Sequence, residues 1–66
     1  MRVAINGELR EIPDGLTVEA LIESLGLAKA ACAVEVNKEL VFKRQHPTHV
    51  ISEGDAVELV SLVGGG

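Results

Sequence analysis

Apolar and polar residues alternate over several short stretches of the chain, and this spacing predicts β-strands. The first predicted strand covers residues 2–5. It is followed by Asn6-Gly7, a pair that favours a type I′ hairpin turn because both central positions of that turn need positive φ. Residues 8–12 are predicted to return as a second strand. Its alternation is imperfect, so we expect it at a sheet edge.

The apolar spacing then changes to that of a helix. Thr17 is a suitable N-cap, and Glu19 places a negative charge in the first turn, where the helix dipole favours it. Gly26 is suited to the residue just beyond the helix, and Leu27 can make the apolar contact of a Schellman ending. One apolar stripe is predicted on this helix, formed by Val18, Leu21, Ile22 and Leu25.

The second half of the chain is again strand-like. Strands are predicted at residues 32–36, 40–42 and 56–63, with a turn at 37–39 and a connector at 43–47 that can hold one 3₁₀ turn. Residues 28–31 suit either a loop or a short helical extension. The stretch 56–63 is the longest apolar run, so we expect it in the centre of the sheet.

One helix with one apolar stripe must cover one face of the sheet. The sequence therefore predicts an α+β fold: a mixed sheet of four to five strands with one main helix packed on one face. The predicted core is aliphatic. Besides the helical stripe, it contains Val3, Ile5, Val34, Val36, Val57 and Leu59.

Two apolar residues of the last strand fall outside this core. Val60 and Leu62 lie on the other side of the pleat from Val57 and Leu59, which predicts an exposed apolar patch beside the chain end. Such a patch often marks a protein interface, and we assign Val60 and Leu62 to partner binding. The alternative is that both residues are there only because they form strands well.

Size and charge limit the functions that are possible. A chain of 66 residues forms one small domain, with little room for a deep catalytic cleft, so we expect a carrier on which enzymes act and not an enzyme. The net charge of −4 argues against binding to nucleic acid or an anionic membrane and favours a partner with a basic surface. The single cysteine and the lack of a long apolar segment predict a cytoplasmic protein without a membrane span.

The predicted chemistry lies at the last residues, Val63-Gly64-Gly65-Gly66. Glycine has no Cβ, so Gly64 and Gly65 can pass through a narrow slot in a partner. The carboxylate of Gly66 is ionised at neutral pH and needs activation, which adenylation by ATP would supply. We therefore predict a body of residues 1–63 and a flexible tail of residues 64–66. A glycine run can also be an idle, frayed chain end.

The sequence as a whole resembles the ThiS family of sulfur carriers in thiamine biosynthesis. The resemblance is carried by Asn6-Gly7, Gly15-Leu16-Thr17-Val18 with Leu21, Val34-Glu35-Val36-Asn37, Gly54-Asp55 and Gly65-Gly66. It implies the ubiquitin-like β-grasp fold. Gly64 departs from the family pattern of two terminal glycines.

The resemblance also implies a function and partners. A ThiF-type enzyme would use ATP to adenylylate Gly66, a sulfur-donor system would convert it to a thiocarboxylate, and the sulfur would pass to thiazole synthase, ThiG. No bound cofactor is implied. Two alternatives remain at this stage: a MoaD-like small subunit of molybdopterin synthase, and a ubiquitin-like interaction module or modifier joined to lysines through Gly66.

Three further side chains could carry chemistry. Cys32 could form a persulfide, but its small apolar neighbours favour a core thiol. His46 and His49 are separated by two residues, and a metal site would need more ligands than the sequence provides near them. We therefore predict no metal site.

Overall fold

The structure is a computed structural model that describes residues 1–27 and 32–61. Its elements are five strands, one α-helix and one 3₁₀ turn. They are β1 (Arg2–Ile5), β2 (Glu8–Glu11), α1 (Val18–Ser24), β3 (Cys32–Val36), β4 (Glu39–Val41), the 3₁₀ turn Lys43–Gln45, and β5 (Ala56–Ser61). No helix in the described part of the chain is long and apolar enough to cross a membrane.

The five strands form one mixed sheet in the order β2-β1-β5-β3-β4. β1 and β5 are parallel, whereas β1–β2, β3–β4 and β3–β5 are antiparallel. The central place of β5 and the edge place of β2 confirm both expectations from the alternation. Five strands with one helix confirm the α+β prediction, and the arrangement is the ubiquitin-like β-grasp.

Two tight turns of the same kind close the two hairpins. The β1–β2 turn uses Asn6 at φ 50° and Gly7 at φ 85°, and the β3–β4 turn uses Asn37 at φ 53° and Lys38 at φ 68°. Both central residues have positive φ in each turn, as type I′ geometry requires. The first turn confirms the prediction from Asn6-Gly7.

The fourth strand begins and ends one residue earlier than predicted, at Glu39–Val41 instead of residues 40–42. Because the β3–β4 turn contains only two residues, Glu39 pairs with Val36 and belongs to β4. Phe42 lies outside the strand, because its backbone N–H turns to the side-chain oxygen of Gln45, 3.2 Å away. The predicted 3₁₀ turn follows at Lys43–Gln45.

Helix α1 begins and ends as its sequence predicts. The Thr17 hydroxyl accepts a hydrogen bond from the Ala20 N–H at 3.1 Å. At the other end, Gly26 has φ 75° and its N–H donates to the Glu23 carbonyl, while the Leu27 N–H donates to the Ile22 carbonyl. These two bonds form the Schellman motif and satisfy the Ile22 and Glu23 carbonyls at the end of the helix.

The core lies between α1 and one sheet face and is aliphatic, as predicted. All of the predicted core residues are buried except Leu25, which is half-buried because it is the C-cap of the helix. Cys32 is also half-buried and packs against this core. Two buried aliphatic residues were missed, Val41 and Ile51.

Candidate functional site

The predicted site lies at the C-terminal end of β5. β5 pairs with β3 as far as Ser61, its last described residue, whereas its backbone pairs with β1 only at Ala56 and Val57. Of the predicted site residues, Val60 lies within the described part of the chain. Leu62, Gly64, Gly65 and Gly66 lie outside the described residues, as does the boundary predicted at residue 63, so these assignments stay predictions.

On the side of β1, the carboxamide of Asn6 extends the pairing of β5. The Leu59 N–H donates to the Asn6 Oδ1 at 2.8 Å, and the Asn6 Nδ2 donates to the Leu59 carbonyl at 3.3 Å. β1 itself pairs with β5 only through Ala4 and Ile5, so this side chain continues the ladder after the β1 backbone has turned away. This side chain thereby holds β5 to the sheet beyond its last backbone pair with β1.

The sheet face opposite α1, called the open face below, is not covered by any other described element. Its residues follow from the strand register: Arg2, Ala4, Leu9, Glu11, Ala33, Glu35, Leu40, Ala56, Glu58 and Val60. Val60 is 57% exposed and Leu40 is 52% exposed. The predicted exposure of Val60 is confirmed, and its place on the open face is consistent with an interface.

Two carboxylates lie in the middle of the open face. Glu35 pairs with Glu58 across β3 and β5, and Leu40 lies beside Glu35 on β4. Side chains directly opposite on neighbouring antiparallel strands have Cβ atoms about 4.5–5.5 Å apart. Sequence reasoning missed this acidic pair, because only the register between β3 and β5 brings the two residues together.

The ion pairs among the described residues do not involve Glu35 or Glu58. They join the Met1 amino group, Arg2 and Arg10 to carboxylates around β2. Within the described ranges, Glu35 and Glu58 thus have no lysine or arginine in ion-pair contact. Arg2 and Glu11 of the open face pair with each other, so its unneutralised negative charge lies at Glu35 and Glu58, beside apolar side chains.

His46 has a structural place that the sequence did not indicate. It is buried, its Nε2 lies 3.1 Å from the Val41 carbonyl, and its own carbonyl accepts from the Glu19 N–H at 2.9 Å. His49 supplies its carbonyl to the Val18 N–H at 2.9 Å. This loop thus caps the start of α1. Among the described residues, no three His, Cys, Asp or Glu side chains are grouped so that they could hold a metal ion.

The comparisons with known proteins agree on one family. The sequence model of the ThiS family matches residues 3–66. A "Sulfur carrier protein ThiS" from Thermus thermophilus is 34% identical over 64 residues, which cover 97% of this chain and 98% of that protein. A crystal structure titled thiamine biosynthesis protein (ThiS) from Geobacter metallireducens superimposes with a TM-score of 0.85 at 30% identity, covering both chains completely.

A longer relative carries a different name. A "Thiazole synthase" from Paramagnetospirillum magneticum is 41% identical over 66 residues, which are all of this chain but only 20% of that protein. The chain therefore spans about a fifth of the length of this curated relative. A segment similar to the whole chain thus occurs within a protein of that name.

Proposed function

The chain belongs to the ThiS family, and from this premise we propose that it is a sulfur carrier for thiazole formation in thiamine biosynthesis. The match of the family model to residues 3–66 carries the proposal, because it includes both the folded body and the glycines. The relative of similar length that bears the name sulfur carrier protein supports the same function. None of the three relatives described above is named for molybdopterin synthesis or for lysine modification.

The proposed chemistry takes place at the Gly66 carboxyl group. A carboxylate is a poor electrophile, so a carboxylate oxygen first attacks the α-phosphorus of ATP and pyrophosphate leaves. A sulfur nucleophile at the oxidation level of hydrosulfide then attacks the acyl carbon, AMP leaves, and a thiocarboxylate remains. The activating partner is a ThiF-type adenylyltransferase, and ATP is its substrate, not a cofactor of this chain.

The carrier body contributes position and recognition in this proposal. Ser61 ends the described part of β5, and five further residues can span at most about 18 Å when fully extended. An enzyme that acts on Gly66 must therefore come close to the end of β5. Because Gly64 and Gly65 have no Cβ, the approach to Gly66 is narrow enough for a confined active site.

The sulfur acceptor is proposed to be thiazole synthase. The observation that favours it is the relative named thiazole synthase, which contains a segment 41% identical to the whole chain. When carrier and synthase lie in one polypeptide, the tether raises the effective concentration of one for the other. We therefore propose that thiazole synthase is also a partner of this chain. The proposal further places the chain in the cytoplasm and assigns it no catalytic residue.

Intact-mass measurement tests this function. The protein is incubated with ATP, a ThiF-type enzyme and a sulfide source, and its mass should rise by the difference between sulfur and oxygen. Fragmentation should place the change at Gly66, and a reaction without ATP is the control. The proposal is wrong if the mass does not change while the same enzyme thiolates another ThiS carrier.

A further inference from the structure

The open face combines apolar and acidic side chains in an order set by the strand register. Ala33 is opposite Val60, and two residues further along the same strands, on the same face, Glu35 is opposite Glu58. Leu40 flanks Glu35 on β4. The acidic pair is therefore bordered by exposed apolar side chains on two sides.

The acidic pair is unfavourable in the isolated chain. Like charges directly opposite on neighbouring strands destabilise a sheet. Glu35 is half-buried, which reduces the screening of its charge by water, and no cation of the described residues pairs with either carboxylate. A positive charge from outside would remove this repulsion and gain two favourable contacts.

We propose that the open face docks onto the ATP-dependent enzyme that activates Gly66, and that this enzyme places an arginine or lysine side chain between Glu35 and Glu58. An apolar side chain of the enzyme covers Val60. This inference rests on the proposed carrier function and adds the chemistry of the contact. Arginine suits the position best, since its planar guanidinium can bond two carboxylates at once.

Two arguments favour the activating enzyme as the occupant. Val60 is six residues before Gly66, so an enzyme bound to Gly66 lies within about 20 Å of it along the extended chain. An active site that binds ATP and a carboxylate together must carry positive potential. A carrier with a net charge of −4 and an acidic face is attracted to such a site and oriented by it.

A matched pair of double variants tests the contact. Glu35→Gln/Glu58→Gln removes the two unneutralised charges of the open face and keeps the shape of both side chains. Glu23→Gln/Glu39→Gln removes the same net charge from an exposed position on α1 and from an exposed residue of β4 that pairs with Val36 and so faces the other way. Dissociation constants for the full chain and the activating enzyme are measured by calorimetry over a series of salt concentrations.

The open-face variant should bind on the order of tenfold more weakly at low ionic strength, with a smaller dependence on salt. Its melting temperature should equal or exceed that of the parent chain, because the repulsion is gone. The control variant should bind like the parent. This combination of weaker binding with undiminished stability is not expected from a structural role of the two glutamates.

The proposal is overturned if the two double variants bind alike, or if the parent chain does not bind the activating enzyme. It is also overturned if the open-face variant is adenylylated normally and is impaired only in sulfur transfer to thiazole synthase. The carrier function is judged separately, by the mass change at Gly66. An open-face variant that binds the activating enzyme and is thiolated like the parent chain would refute the docking contact and leave the carrier function intact.

Discussion

At the scale of single residues, four backbone positions determine the geometry of the two hairpin turns. Asn6, Gly7, Asn37 and Lys38 all have positive φ. Glycine and asparagine enter this region readily, whereas other L-residues do so at a cost of about 1–2 kcal/mol. Lys38 is therefore a point of local strain in the β3–β4 turn.

Replacing this lysine should relieve the strain. We expect Lys38→Gly to raise the free energy of unfolding by about 0.5–1 kcal/mol, because glycine adopts φ 68° without a clash. Lys38→Ala removes the same charge but keeps a Cβ, so it serves as the control and should give no gain. Chemical denaturation of the three proteins measures the effect, and an equal gain in both variants would assign it to the charge instead.

The amino group of Met1 makes stability depend on pH. It donates to the Ile12 carbonyl at 2.6 Å and lies 3.1 Å from the Asp14 carboxylate. The hydrogen bond to Asp14 raises the pKa of this amino group above its usual 8.0; burial opposes the rise, and the charges of Asp14 and Glu11 add to it. Because the folded pKa exceeds the unfolded one, this contribution is complete below pH 8 and is lost as the pH rises through the folded pKa.

We therefore expect the melting temperature to decline as the pH rises above 8. Asp14→Asn removes the main cause of the raised pKa, so its melting temperature should decline less over the same pH range. Thermal unfolding of both proteins between pH 7 and 10 provides the measurement. Parallel curves for the two proteins would show that the Met1–Asp14 contact does not contribute.

At the scale of elements, the helix and the central strand are stabilised in different ways. Helix α1 is bounded by local signals: the Thr17 hydroxyl at its start and Gly26 at its end. Strand β5 depends on distant partners, since its ladder on the β1 side is continued by the Asn6 side chain. The turn residue of one hairpin is thus also part of the pairing of another strand.

A mutation can separate the two roles of Asn6, in the hairpin turn and in the pairing of β5. Asn6→Gly keeps a residue that tolerates positive φ but removes both hydrogen bonds to Leu59. We expect a loss of about 1–2 kcal/mol in unfolding free energy, since each bond contributes about 0.5–1.5 kcal/mol and glycine costs some additional chain entropy. Hydrogen exchange should show faster exchange at the Leu59 amide, and an unchanged rate there would contradict the assigned role.

At the scale of the whole molecule, the sheet has two faces with different roles. One face and α1 enclose the aliphatic core, and the open face retains exposed Val60 and Leu40 together with two glutamates. Stability is therefore expected to depend on the first face and partner recognition on the second. This separation allows binding to be impaired without unfolding the protein.

Val60→Asp tests that separation. Val60 is 57% exposed, so we expect the loss in unfolding free energy to stay below about 1 kcal/mol, the range of strand propensities. Binding to the activating enzyme should weaken far more, because a further carboxylate replaces an apolar contact. Val50→Asp is the matched control, since Val50 is 53% exposed but lies away from the open face. Equal losses of binding in both variants would argue against an interface at Val60.

Deleting Gly66 tests the assignment of chemistry to the chain end. We expect thiocarboxylate formation to be abolished while the circular dichroism spectrum and melting temperature stay unchanged. The physical reason is that the buried core residues fall within the sequence range from Val3 to Leu59, and a glycine has no side chain to contribute to the core. Unfolding of this variant, or a thiocarboxylate formed at residue 65, would contradict the assignment.

Much of this protein is determined by its sequence alone, because the responsible signals are local. Alternation placed the buried faces of β1, β3 and β5, and capping residues bounded α1. Asn6-Gly7 specified the first hairpin turn. The second turn was predicted at residues 37–39, one residue longer than observed, because a lysine does not indicate positive φ. The exposure of Val60 also followed from its position in the pleat.

The tertiary structure alone decided what depends on contacts between distant segments. It set β1 beside β5, placed the Asn6 carboxamide on Leu59, and buried Val41, His46 and Ile51. It also aligned Glu35 with Glu58, which are 23 positions apart in the sequence. Hydrophobic periodicity shows which face of a strand is buried, but not which strand lies next to it or in which register. For that reason the acidic pair of the open face emerged only from the fold.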